Sequence, residues 1–333
     1  MAAGHSPAPA DRPAGYARPF SLLRDLGPVL RLIEQAFGEE GREERLAGFD
    51  LLALRLAAPL LSLLGRLVPP IRDLFAGVVW EDHGQIVGNV TLSRVAGDRQ
   101  RWMLGNVAVD AAYRRRGIAR QLTLAALREI ERRGGELVLL DVRADNEPAY
   151  ALYRSLGFHP IDRLVELRHP PLSSPPPWPP LARLLRPREW RALWWLYHEA
   201  TPVTVQRYLP VLQQQVLASA LAAGLGVLGR PLLGHSSRIV VIAEGRSLAA
   251  AAEIELHGGE RPHRARLVVH PFARGRVEEQ LVTAVLALAA RPRAALRAET
   301  RADQTALIAA LERAGFQPSR VLDRLVLTLG SAA

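Results

Sequence analysis

The chain contains no cysteine and no lysine. Without cysteine there can be no disulfide, no thiolate nucleophile and no cysteine-ligated metal. Without lysine there can be no Schiff base and no lysine general base. All 43 basic residues are therefore arginine. Aromatic residues are scarce, at 6%, and few adjoin the arginines. A nucleic-acid surface, which pairs clustered basic charge with stacking rings, is not expected despite the net charge of +10. His83, His159 and His169 are isolated and lack ligand spacing, so no metal is expected. The opening MAAGHSPAPADRPAG has no apolar segment of the kind a signal peptide needs. Residues 1–16 read as a disordered tail, and a cytoplasmic location is expected. Long apolar runs are missing too. The most apolar stretch, residues 49–68, is cut by Arg55, Pro59 and Arg66, which leaves too little to span a bilayer.

What is present suffices for two ordinary cores, since 49% of 333 residues are apolar. The organising stretch is GNVAVDAAYRRRGIARQ, Gly105 to Gln121. It reads as an apolar strand, a turn, an arginine cluster and the start of a helix. Gly117 has no side chain, so a ligand can approach the backbone there. The following helix offers unpaired N–H groups and the positive end of its dipole. Arg114, Arg115, Arg116 and Arg120 add forked donors. Together these suit a phosphate or pyrophosphate.

A second motif follows one helix and one strand later. It runs from Asp141 to Phe158, DVRADNEPAYALYRSLGF. Pro148 suits a first helical turn, Asn146 a cap, and Gly157 a left-handed stop. The two motifs, in this order, resemble motifs A and B of the GNAT acetyltransferases. The first matches R-x-x-G-x-A at Arg114, Gly117 and Ala119. The second matches at Asn146, Ala149, Leu152, Tyr153, Gly157 and Phe158.

Residues 169–181, HPPLSSPPPWPPL, read as a stiff linker. Beyond it the pattern recurs. VHPFARGRVEE around Arg274 aligns without gaps with VDAAYRRRGIA around Arg114. ETRADQTALIAALERAGF, 299–316, aligns with 141–158. Near-equal offsets indicate duplication. The expected fold is α/β (α+β): two tandem GNAT folds. Each would have a mixed, mostly antiparallel sheet with a parallel splayed strand pair and flanking helices. The expected domains are 17–169, catalytic, and 182–331, degenerate, joined by 170–181. In the second copy Val277, Glu278 and Glu279 replace Gly117, Ile118 and Ala119, and Leu311 replaces Tyr153. A valine would narrow the backbone approach and two carboxylates would repel a pyrophosphate.

The resemblance implies an N-acetyltransferase that moves acetyl from acetyl-CoA to a primary amine by direct attack. It implies contacts to the carrier from Val107, Ala108, Val109, Arg114, Arg115, Arg116, Gly117, Ile118, Ala119, Arg120, Asn146 and Tyr153. Tyr153 would be the general acid and Asp141 a base acting through water, with a strand-end ion pair to Arg143 or Arg101 as Asp141's alternative. Trp102, Met103, Tyr113 and Tyr150 are candidates for the acceptor pocket. The resemblance also places residues 49–68 as a lid over that pocket. A mycothiol-synthase-like tandem acetyltransferase and a non-catalytic CoA sensor are the alternatives. Two copies in one chain imitate a dimer, so a monomer is expected.

Overall fold

A computed structural model describes residues 15–46, 76–95, 98–225, 235–245 and 247–330. The lid expectation for 49–68 and most of the tail lie outside these residues. Among the described residues no helix is long and apolar enough to cross a membrane. The described chain divides into two compact units, Met1–Leu139 with Thr328–Ala333, and Leu140–Leu327.

The first unit opens with strand β1, Tyr16–Pro19, and helix α1, Leu22–Leu46, which has non-helical dihedrals at Gly38. An ion cluster fixes the start of α1. Asp25, fully buried, accepts from Arg18 Nη1 and Nη2 at 2.6 and 2.9 Å and from the Ser21 N–H at 2.7 Å. Strands β2 (Ala76–Asp82), β3 (Gln85–Arg94) and β4 (Arg101–Val109) follow, then helix α2 (Ile118–Arg132) and strand β5 (Leu137–Arg143). The strand order is β1-β2-β3-β4-β5, and pairing from β1 to β4 is antiparallel. The strands are rich in Val, Ile and Leu, residues that fit a pleated, buried surface. Helix α2 turns Ile118, Leu122, Ala126 and Ile130 inward at helical spacing. Gly88 on β3 permits this packing, because a Cβ there would meet Leu122 Cδ1 at 2.8 Å.

The second unit takes the end of β5, then helix α3 (Glu147–Ser155) and strand β6 (His159–His169). Strand β7 (Ala182–Leu184) and helices α4 (Trp190–Ala200), α5 (Val203–Gln206) and α6 (Gln213–Leu225) come next. Strands β8 (His235–Glu244), β9 (Ser247–His257) and β10 (His263–Val269) lead to helix α7 (Glu278–Ala289). Strand β11 (Leu296–Arg301), helix α8 (Thr305–Arg313) and strand β12 (Gln317–Thr328) complete it. Its strand order is β12-β6-β11-β10-β9-β8-β7. Strands β10 and β11 pair in parallel, from His263↔Leu296 to Arg266↔Glu299. One core cluster, including Val282, Val285 and Leu311, packs on one face of this sheet, and another, with Leu193, Leu196 and Val216, forms separately around α4 and α6.

The packing boundary between Leu139 and Leu140 differs from the repeat boundary expected at 170–181. The physical reason is strand exchange. Strand β6 belongs to the first repeat, yet it pairs on one side with β11 and on the other with β12. Bidentate arginine pairs reinforce this junction: Arg163 with Asp323 and Arg320 with Glu166. The repeats are copies in sequence, whereas the compact units are defined by which strands pair.

Candidate functional site

The first copy's loop begins at a β-bulge. Asn89 lies opposite Ala108, but Thr91 lies opposite Gly105, so β4 carries one residue more than β3 over that span. Asn106 takes φ +49 within it. The bulge releases backbone groups near Val107 from the regular ladder. Asp110 then caps a 3₁₀ turn, Ala111–Tyr113, accepting from the Ala112 N–H at 2.9 Å. Arg114 folds back and donates from Nε to the Val109 carbonyl at 3.2 Å.

Arg115 and Gly117 both have left-handed dihedrals, φ +65 and +79. Residues that alternate this way aim successive N–H groups into one concavity. Gly117 is the N-cap of α2 and makes no side-chain capping bond. A Cβ at Gly117 would meet nothing within 4 Å, so the space above it is open. Arg114, Arg115, Arg116 and Arg120 are exposed, Ala119 is half-buried, and Ile118 turns into the core at 1% exposure. The arrangement is a shallow, positively charged bowl of amides at the head of a 15-residue helix.

Asp141, Asn146 and Tyr153 belong to the second unit. Asn146 caps α3, accepting from the Ala149 N–H at 3.2 Å. Tyr153 is 6% exposed and meets the Phe158 ring edge-on at 5.9 Å. Burial pushes its phenol up to about 12, so it keeps its proton at neutral pH. Asp141 is placed differently from the expectation. Its two carboxylate oxygens accept from Arg324 Nε and Nη2 at 2.7 and 2.8 Å. Arg143 and Arg101, the partners expected from sequence, pair instead with Asp145 and Asp98. Trp102 is core rather than pocket wall: it is fully buried, with the Arg94 guanidinium 4.6 Å above its ring. Tyr113 lies under Arg116, 5.0 Å from ring centroid to guanidinium.

The corresponding positions of the second copy are filled by the chain itself. Val277, at the place of Gly117, has φ −117, so the left-handed cap is lost. Glu278, 3% exposed, accepts from the Gly275 N–H at 2.7 Å and the Val277 N–H at 3.0 Å. Further along, β10 and β11 separate beyond Arg266 and Glu299. There the Val269 N–H donates to Gln304 Oε1 at 3.0 Å, and Thr300 Oγ1 donates to the Leu267 carbonyl at 3.2 Å. Arg274 joins this loop to Asp303 at 3.1 Å. Sequence reasoning expected Glu278 to repel an anion. In the structure its carboxylate is bonded to two N–H groups of its own loop. Gln304 stands at the position of Asn146 in the second copy; its bond to Val269 was not foreseen, and Asn89 was missed. The available signal for Asn89 was a lone amide inside the apolar run IVGNVTL.

No group of three His, Cys, Asp or Glu suited to a metal occurs among the described residues.

Residues 63–158 match the Acetyltransferase (GNAT) family. The chain is 48% identical over 56 residues to the [ribosomal protein bS18]-alanine N-acetyltransferase of Escherichia coli K12, covering 17% of this chain and 38% of that protein. It is 45% identical over 60 residues to the mycothiol acetyltransferase of Saccharomonospora viridis, covering 18% and 20%. It is 42% identical over 79 residues to the N-alpha-acetyltransferase RimI of Mycobacterium tuberculosis, covering 23% and 48%. Each match therefore spans less than half of the relative. Among solved structures, a tandem GNAT protein from the clavulanic acid biosynthesis pathway superposes with TM-score 0.57 at 19% identity, over 96% of this chain and all of that one. A GCN5-related N-acetyltransferase from Sphaerobacter thermophilus superposes with TM-score 0.64 at 15% identity, over 94% and 95%. These structural matches establish the fold over nearly the whole chain, and the family match spans the stretch that holds both motifs of the first copy. Residues 63–158 thus carry the match to the GNAT acetyltransferase family, and nearly the whole chain shares the fold of a tandem GNAT protein.

Proposed function

We propose that the chain is an acetyl-CoA-dependent N-acetyltransferase with one working site, in its first copy, acting on a primary amine of a small molecule or a protein N-terminus. The observation that carries this reading is the contrast at the head of the two loop helices. The bowl at Gly117 is open and uncapped, whereas its counterpart is occupied by Glu278. The second bowl shows that amides in this position accept an anion, which supports a diphosphate at the first.

In this reading Arg114, Arg115, Arg116 and Arg120 with the amides from Gly117 to Arg120 hold the diphosphate of acetyl-CoA. Backbone groups of Val107, Ala108 and Val109 hold its pantetheine arm, and Asn146 supports the arm or its loop. The acceptor amine attacks the thioester carbonyl, forming the C–N bond. Charge gathers on the carbonyl oxygen and is met by a backbone N–H of β4. The C–S bond breaks, and the departing thiolate takes the proton of Tyr153. The amine's proton leaves to water. Asp141 keeps a place as a positioning group rather than as the base, because Arg324 occupies both of its oxygens.

Titration calorimetry with acetyl-CoA on the full chain, joined to an amine and peptide panel read by thiol release, tests this. One site per chain and turnover on at least one amine are expected. Two equivalent sites, or none, would sink the reading.

A further inference from the structure

Asn89 is 1% exposed and sits in β3 beside Val79, Val90 and Leu92, all with no exposure. A buried amide costs free energy unless it is bonded. Its Nδ2 donates to the Asn106 carbonyl at 3.1 Å, and lies 3.4 Å from Thr91 Oγ1. Asn106 is the bulge residue with φ +49. Non-glycine residues rarely hold that conformation unaided. The side chain thus bridges the gap where the β3–β4 ladder skips a residue.

The second copy provides the comparison. Strands β9 and β10 pair in unbroken register from Arg264↔Glu255 to Val269↔Ala250. Ala251, opposite Val268, stands where Asn89 stands opposite Ala108. Alanine has no amide to hold a bulge, and no bulge is there. That copy is also the one whose strand groups are consumed by Gln304 and Thr300. The amide and the bulge occur together and are lost together.

We propose that Asn89 is a positioning residue for acetyl transfer: its bond to the Asn106 carbonyl holds the β4 bulge that aims the backbone N–H groups of residues 107–109 at the thioester carbonyl. This rests on the acetyltransferase reading above. It adds a residue on a neighbouring strand that contributes no atom to the reaction. A backbone donor stabilises a developing oxyanion only if its direction is fixed beforehand. Asn89 supplies that fixation.

The test uses the full chain with Asn89→Ala, with Asn89→Asp, which keeps the shape but lacks the donor, and with Asn89→Ala combined with Asn106→Gly. Three quantities are read: kcat on an amine from the panel, the Kd of acetyl-CoA, and the carbonyl stretch of bound carbonyl-¹³C acetyl-CoA by difference infrared spectroscopy. Both single variants are expected to lose about 100-fold in kcat and to keep Kd within about threefold, because the Gly117 bowl is untouched. The carbonyl band should move towards that of free acetyl-CoA. Glycine adopts φ +49 freely, so Asn106→Gly should return about tenfold of the lost rate. Unchanged kcat and carbonyl band in both single variants, with an active parent, overturns the role of Asn89 alone. So does lost rate with an unmoved band and no rescue, which marks a merely structural residue. A parent that binds acetyl-CoA without any shift of the carbonyl band, or does not bind it, overturns the site reading and this proposal with it.

Discussion

Arg324, near the end of the chain, grips both carboxylate oxygens of Asp141, 183 positions earlier, at 2.7 and 2.8 Å. The pair ties β12 to the end of β5, where the Ala144 N–H also donates to the Val321 carbonyl at 2.9 Å. A carboxylate bonded this way is a clamp. Asp141→Asn is expected to lower stability by about 2 kcal/mol, the scale of a charge-assisted bond lost in a half-buried setting. It should leave the acidic limb of the kcat/KM profile in place. Urea melts and pH–rate profiles check both. Disappearance of the limb with unchanged stability would return the base role to Asp141.

Tyr153 lies on the inner face of α3, and burial lifts its phenol to about 12. It is therefore protonated at neutral pH. Tyr153→Phe is expected to lower kcat by about 100-fold or more, to keep the Kd of acetyl-CoA within about twofold, and to leave the melting temperature nearly unchanged. A CoA sensor would lose nothing in this variant. The linkage sign follows from the raised value. The folded chain holds the proton through a range in which the unfolded tyrosine gives it up, so the stability present below pH 10 is lost as pH rises towards 12. Wild-type stability should fall more steeply than that of Tyr153→Phe across that window.

Much of this was legible because it is local. Asn146 and Gly157 cap and close α3 as their chemistry requires. Strand exchange was not legible, because period-2 alternation in β6 does not name its neighbours. Arg324 was missed for the same reason. Nothing near it in sequence points to Asp141. The bulge at Asn106 left a trace in the buried amide of Asn89, but its partner is set by register rather than by sequence separation.

Gly117 and Glu278 mark the two ends of one divergence. Gly117→Val would place a β-branched residue at φ +79, a conformation it strongly disfavours. Loss of acetyl-CoA binding by at least about tenfold is expected, with a stability cost of about 1–3 kcal/mol. In the second copy, Glu278→Ala strips the Gly275 and Val277 N–H groups of their buried acceptor. It should cost about 1–3 kcal/mol and still create no second site, because Gln304 and Thr300 continue to occupy the strand groups. Calorimetry on both variants decides. A stoichiometry rising to two in Glu278→Ala would show that this carboxylate was the only barrier.

His263 sets an acid limit on the second unit. It opens β10 at 1% exposure, and its Nδ1 accepts the His257 N–H at 3.1 Å. Burial pushes it down to about 4, with the nearby His257 and Arg291 charges adding to the effect. An unfolded chain takes up this proton below about pH 6.5, whereas the folded chain refuses it until about pH 4. Stability contributed by neutral His263 is therefore present above pH 6.5 and is lost as pH falls to 4, up to about 3 kcal/mol by linkage. His263→Asn keeps an acceptor near the His257 N–H but cannot take up a proton. Between pH 7 and 4.5 its urea midpoint is expected to fall less than that of the wild type, although general carboxylate protonation lowers both. Equal slopes for the two proteins would mean that His263 is already accessible to protons in the folded state.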